Sequence, residues 1–228
     1  MLMISSHRTI MVNVLKDIYS DIEISSLLGF KGGTALYFFY NLPRFSVDLD
    51  FDLLDESKKD IVFEHVLKIV EKYGELRVKK EKHFTLFWLL SYQKGLNQLK
   101  IEISKRTSKN RYEVKNFFGI PAQIMKREDM FANKLTALLG RKSLANRDIY
   151  DIWFMLKERW DLNDKLLEFR TNTTTIAYLK KCLKLLENNP PSDILSGIGD
   201  LVDNKTKDWI KKNLIKDTIF LLKANYEL

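Results

Sequence analysis

Residues 30–53, FKGGTALYFFYNLPRFSVDLDFDL, decide how the chain is read. Gly32 and Gly33 leave two successive backbone N–H groups unobstructed where Thr34, Ala35 and Leu36 open a helix, whose positive N-terminal end favours an anion such as phosphate. Downstream, Val47-Asp48-Leu49-Asp50-Phe51-Asp52-Leu53 alternates apolar and acidic residues with period two. The Asp side chains therefore share one strand face while Val47, Leu49 and Phe51 turn to the core. Same-face Cα atoms lie about 6.5 to 7 Å apart, which lets Asp48 and Asp50 converge on a pair of Mg²⁺ ions about 3.5 to 4 Å from each other. Such ions relieve the repulsion between the carboxylates. Asp52, at the strand's end, is expected to be solvated. A Gly-Gly turn or a D-x-D strand is common by itself; the two in this order point to a nucleotide site.

Glycines at a helix start followed by an Asp-x-Asp strand resemble the DNA polymerase β-like nucleotidyltransferase superfamily. The fuller pattern, Lys31-Gly32-Gly33-Thr34-Ala35-Leu36 with Arg44-Phe45-Ser46-Val47-Asp48-Leu49-Asp50-Phe51, is similar to the AbiEii/AbiGii toxin family of abortive-infection and toxin–antitoxin systems. The resemblance implies an enzyme in which an acceptor hydroxyl attacks the α-phosphorus of an NTP. Asp48 and Asp50 would bind Mg²⁺, Lys31, Gly32, Gly33 and Thr34 would hold the nucleotide phosphates, and Ser46 would be a phosphate contact or a self-modification point. Ser46 also reads as a plain serine on the strand face that carries Asp48. By the same resemblance the acceptor is RNA, most specifically the 3′ end of tRNA, and a cognate antitoxin relieves the growth arrest. Transfer to a protein or small molecule, or nucleotide binding without turnover, are the alternatives.

At 228 residues and 45% hydrophobic content the chain can bury a core as one large domain or two small ones. The net charge of +8 favours a polyanionic partner. Cys182 is the single cysteine, so an intrachain disulfide and a Cys-based zinc site are excluded. His7, His65 and His83 are scattered and form no ligand cluster in sequence. The apolar run Phe84 to Leu90 is far too short to span a membrane, and Met1 to Ile4 too short for a signal segment. A cytoplasmic location is expected.

The order of elements predicts an α+β fold: a mixed nucleotidyltransferase-type sheet with flanking helices over residues 1–120, then a helical bundle over 121–228. Helices are expected over Thr9 to Ser20, from the Gly-Gly turn to Tyr40, and from Ser57 to Gly74, with Phe63, Val66, Leu67 and Val70 at helical spacing. Strands are expected over Leu27 to Lys31, Val47 to Leu53, Glu75 to Glu81, Phe84 to Tyr92 and Leu99 to Ser104, with turns at Lys82-His83 and Lys94-Gly95-Leu96-Asn97. On the last strand Lys100 and Glu102 alternate with Leu99, Ile101 and Ile103. Glu102 is thus either a solvent-facing residue or, as the resemblance implies, a third metal ligand. Lys105 to Asn116 reads as a basic loop suited to holding RNA, and Pro121 as the change to helices.

Helices are predicted near Arg127 to Leu139, Arg147 to Glu158, Thr173 to Leu186 and Lys207 to Lys223. Ile149, Ile152, Trp153 and Leu156 form a buried stripe that leaves Asp148 and Asp151 on a flank, where residues alone suggest surface ion pairs with Arg147, Lys134 or Arg141. In the resembling family, a K-L-x-A-L segment followed by R-D-x-x-D carries an active-site Lys and Asp. Those positions are Lys134 and Asp148 here, with Asp151 as the second choice. Lys134 would neutralise phosphate charge, and Asp148 would orient Lys134 or the acceptor. The lysine groups 79/80/82, 180/181/184 and 205/207/211/212 read most simply as solvated faces, without evident aromatic interleaving, with guidance of RNA by one of them as the alternative.

Overall fold

Apolar residues alternating with polar ones build the sheet. The computed structural model describes residues 4–93, 97–141 and 143–228. The expected turn at Lys94-Gly95-Leu96 and the first three residues lie outside them. Two compact units are present, Met1–Asn41 with Phe45–Met125, and Leu42–Arg44 with Lys126–Leu228.

The first unit contains α1 (Ile4–Ser20), β1 (Leu28–Lys31), α2 (Gly32–Phe39), β2 (Asp48–Leu53), α3 (Lys59–Glu71), β3 (Glu75–Glu81), β4 (Thr85–Gln93), β5 (Asn97–Ser104), β6 (Tyr112–Phe117) and β7 (Ile120–Met125). Its seven strands lie in the order β3-β4-β5-β2-β1-β7-β6. The sheet is mixed: β2 runs parallel to β5 and β1 parallel to β7, while the other neighbours are antiparallel. One face, carrying Phe30, Leu49, Phe51, Leu86, Trp88 and Ile101, is fully buried. Helices α1 and α3 cover it, with Tyr19 against Phe51 and Phe63 against Trp88. Burying each such side chain stabilises the fold by roughly 1.5 to 3 kcal/mol. Both helices bury the stripes that period 3.6 demands, although α3 is rotated so that Val62 and Ile69 are buried with Val66 and Val70.

Two expectations need correction. Lys105 to Asn116 is only partly loop, because Tyr112–Phe117 is an edge strand, and Pro121 lies within β7 instead of heading the helices. Phe118 and Gly119 form the connecting two-residue turn, with φ of 52° and 89°. Positive φ at both positions is the geometry that matches strand twist in a hairpin. Pro121 sits next to this turn, near the strand's start, where a missing N–H is tolerated.

The second unit is helical: α4 (Arg127–Gly140), α5 (Asn146–Lys157), α6 (Asp164–Thr171), α7 (Thr175–Asn188) and α8 (Asn204–Tyr226). Helix α6 is additional to the expected four. Asn163 caps its start through Leu166 N, and Asn172 ends it in the left-handed conformation. Helix α5 is buried nearly all round, packing on α4 and α8, with Trp153 and Trp209 rings 4.3 Å apart. Among the described residues no helix is long and apolar enough to cross a membrane.

Candidate active site

In the sheet unit, the chain leaves β1 at Lys31 in extended conformation and turns into α2 at Gly32, where φ is +81°. A Cβ on Gly32 would also stand 2.7 Å from Asp50 Oδ2. Glycine is thus required twice, by backbone angle and by the close approach of the carboxylate. Asp48 and Asp50 are half-buried on the β2 face away from Leu49 and Phe51. Register with β5 sets Asp48 opposite Lys100 and Asp50 opposite Glu102. The Lys100 Nζ lies 3.2 Å from Asp48 Oδ2 and 3.6 Å from Glu102 Oε2. Burial pushes the Asp50 carboxyl above its usual pKa, with Lys100 and Lys31 opposing the rise and Asp48 and Glu102 adding to it. For Lys100, burial alone would lower the pKa, but the surrounding Asp48, Asp50 and Glu102 raise it.

Among the described residues, no group of three His, Cys, Asp or Glu side chains is close enough to hold a metal ion. The donor set nevertheless suits a cation, because the Lys100 ammonium already stands between two of its carboxylates. An ammonium at these distances holds oxygens further apart than Mg²⁺, which draws its ligands to about 2.1 Å.

Thr34 is fully buried, and its hydroxyl donates to the Asp48 carbonyl. This contact makes it a tether for the Asp strand. His7 acts on the same stretch, its Nε2–H donating to Val47 O at 2.8 Å while Tyr92 O–H donates to Nδ1 at 2.5 Å. That ring is fully buried, and burial lowers its pKa. Ser46 is buried, just ahead of β2.

Asp52 is not solvated as expected. It is only 2% exposed and accepts from Lys31 Nζ at 2.5 Å, Tyr112 O–H at 2.5 Å and Asn110 Nδ2 at 2.7 Å. The segment after β5 folds back over the strand's end, which a reading of β2 alone does not reveal. Gly29 permits this, since a Cβ there would run into the Tyr112 ring. Lys105, expected in the basic loop, is ion-paired to Glu81 at 2.5 Å, with its side chain 9% exposed.

The helical unit holds a second charged cluster. Arg44 clamps Asp151 through Nε at 2.6 Å and Nη2 at 2.7 Å, and Lys134 Nζ lies 2.7 Å from Asp151 and 2.8 Å from Asp148. Arg44, Asp148 and Asp151 are buried, so these are not the surface ion pairs that residue pattern alone suggests. Burial by itself would lower the Lys134 pKa, yet Asp151 and Asp148 raise it. Burial would likewise raise the Asp151 pKa, but Arg44 and Lys134 hold it below the usual carboxylate range. Arg141 Nε is 2.9 Å from Asp148 Oδ2 but out of hydrogen-bonding alignment, so this buried oxygen has no donor. Three cations face two carboxylates, leaving the cluster positive. Arg44, Lys100 and His7 were not singled out as site residues by sequence reasoning. The strand alternation carried the signal for Lys100, and the quoted R-F-S-x-D motif carried it for Arg44.

The model of a family described as nucleotidyl transferase AbiEii toxin, type IV toxin–antitoxin system, matches residues 13–209. The protein JHP933 from Helicobacter pylori has a similar solved structure, with a TM-score of 0.67 and 22% identity over 98% of this chain and 92% of that one. A candidate nucleotidyltransferase from H. pylori is similar at a TM-score of 0.66 and 22% identity, over 98% of this chain and 94% of its own. No curated protein matches the sequence.

Proposed function

Because the chain belongs to the AbiEii nucleotidyl transferase toxin family of type IV toxin–antitoxin systems, we propose that it moves a nucleoside monophosphate from an NTP to an RNA hydroxyl, that of a tRNA 3′ end. The observation that carries the reading is the gathering of Asp48 and Glu102 around the Lys100 ammonium, with Asp50 held against the glycine start of α2. A cation-binding carboxylate set beside a phosphate-binding helix start is the equipment of phosphoryl transfer.

Mg²⁺ held by Asp48 and Asp50, with Glu102 as third ligand, would supply charge neutralisation at the triphosphate and activate the attacking hydroxyl. The Gly32 and Gly33 N–H groups hold the outgoing pyrophosphate, and Lys31, fixed by Asp52, adds positive charge at that helix start. Thr34 and His7 keep the leading end of β2 in place from either side through the Asp48 and Val47 carbonyls. In the helical unit, Lys134 neutralises phosphate charge, and Asp148, ion-paired to it at 2.8 Å, orients its ammonium. Ser46 serves as a phosphate contact. The net charge of +8 supports a polyanionic acceptor met in the cytoplasm. A cognate antitoxin is the partner implied by the family.

Incubation with each α-labelled NTP, Mg²⁺ and either total RNA or cell protein tests this. Label entering RNA supports the proposal, label confined to protein favours the alternative acceptor class, and no transfer with any NTP contradicts both.

A further inference from the structure

The sheet face that carries the carboxylates continues past them onto β4 and β3. In register across the sheet, Lys80 pairs with Phe87, Phe87 with Glu102, Glu102 with Asp50 and Asp50 with Lys31. Directly paired residues project to the same side, so this row runs from the edge strand to the site. The Phe87 backbone lies two strand spacings from that of Asp50, about 10 Å.

On β4, Leu86, Trp88 and Leu90 are fully buried on the helix-covered side, whereas Thr85, Phe87 and Leu89 on the other remain partly exposed. Val78, opposite Leu89, is 38% exposed. Lys82 Nζ lies over the Phe87 ring, 3.8 Å from its centre. Phe84 is 48% exposed, with the Arg106 guanidinium 4.5 Å above its ring and His83 against it at 4.2 Å. Scattered exposed apolar residues need no explanation. Val78, Phe87 and Leu89 share the face of the carboxylates, Phe84 stands in the turn that joins β3 to β4 at its end, and Lys82 and Arg106 lie over the two rings.

We propose that this open face of β3 and β4, with the turn that joins them, is a platform for the single-stranded end of the acceptor RNA, with bases stacking on Phe87 and Phe84 and phosphates meeting Lys80, Lys82 and Arg106. Rings on an open sheet face with cations beside them offer what unpaired nucleotides need, a flat apolar surface and charge for the backbone. The contact of Lys82 with Phe87 supplies an aromatic neighbour that was not evident near the 79/80/82 lysines in sequence. The platform draws Arg106 from the expected basic loop, whereas Lys105 is engaged by Glu81. The inference rests on the RNA-acceptor reading above.

The test is the affinity of a short, fluorescein-labelled single-stranded RNA, measured by anisotropy across a salt series, with Mg²⁺-NTP affinity measured on the same samples by calorimetry. Phe87→Leu keeps apolar bulk but removes the stacking ring, and Phe84→Ala alters an exposed side chain, so both variants retain the fold. Each is expected to weaken RNA binding roughly 5- to 150-fold, the range of one base–aromatic stack, without changing NTP affinity. Phe87→Tyr restores binding. Lys80→Gln with Lys82→Gln makes the salt dependence shallower by about 0.7 for each phosphate that the lysines no longer neutralise. If the wild type binds RNA and the Phe87→Leu and Phe84→Ala variants bind it equally well, the platform is overturned while the RNA reading stands. If the wild type binds NTP but no RNA, both fall. If RNA binding is unchanged and the same substitutions abolish neutralisation by the cognate antitoxin, the face docks protein and the RNA assignment is wrong.

Discussion

Lys100 Nζ stands 3.2 Å from Asp48 Oδ2, so the carboxylate proposed to bind metal is already neutralised by a cation from the neighbouring strand. An incoming divalent ion must displace that ammonium. Lys100→Met is therefore expected to bind Mn²⁺ more tightly than the wild type, by about tenfold if the competition it removes is worth a typical half-buried ion pair. Its metal-free form should unfold at lower temperature, with the difference closing when Mn²⁺ is added. Paramagnetic titration of Mn²⁺ reads the affinity, and weaker Mn²⁺ binding by the variant would show that Lys100 assists the metal instead of competing with it.

Arg44 and Asp151 make a buried two-pronged ion pair. Arg44→Met strips Asp151 of that partner and leaves it to Lys134 alone. Removing one member of a buried pair costs about 3 to 5 kcal/mol, which corresponds to a fall of roughly 6 to 20 °C in unfolding temperature. Arg44→Lys keeps the charge but loses the fork, so it should fall between the two. Calorimetric unfolding of the three proteins distinguishes this from a surface ion pair, for which all would melt together.

Asp52→Ala leaves Lys31, Asn110 and Tyr112 without their shared acceptor. Because a hydrogen bond to a charged acceptor contributes about 1.5 to 3 kcal/mol, the segment between β5 and β6 should open more often. Trypsin cleavage after Arg106, Lys109 or Arg111 is expected to speed up about tenfold or more. Cleavage at the wild-type rate would mean that Asp52 does not hold this segment.

Burial lowers the pKa of His7 in the folded protein, so the unfolded chain takes up the proton first as pH falls. The stability contributed by neutral His7 is fully present above about pH 6.5, the ordinary value, and is lost as pH falls through the lower folded value. Unfolding temperature should decline from pH 6.5 downward, and His7→Gln, which cannot titrate, should show a flatter profile over that interval. Parallel profiles would remove His7 from the account.

The parts of the site that are local in sequence were legible there. Gly32, Asp48 and Asp50 follow from a helix start and a period of two, which a short window contains. The contact between Lys100 and Asp48 depends on the register of β2 against β5, which the alternation of either strand leaves open. Arg44 and Asp151 are 107 residues apart, and only the folded chain unites them. Strand β6 was hidden because Tyr112, Glu113, Val114 and Lys115 place polar groups on both faces, as an edge strand allows, and its turn uses Phe-Gly where Asn-Gly is the usual signal. Asp148 and Asp151 read as a solvated flank because periodicity finds the most apolar side of a helix but does not reveal that a helix is covered on every side.

Asp48 and Asp50 are proposed to organise a divalent-ion-dependent transfer to RNA. The most direct test is the single-turnover rate of label transfer from α-labelled NTP to RNA by the wild type and by Asp48→Asn, each with Mg²⁺ and with EDTA. Asn keeps the size of the side chain and removes its charge, so the variant should melt near the wild-type temperature. Transfer by the wild type should vanish with EDTA, and the variant should transfer at least about a hundredfold more slowly, the loss of one transition-state charge contact. Transfer by Asp48→Asn at a rate near that of the wild type, or wild-type transfer that persists in EDTA, would contradict the account.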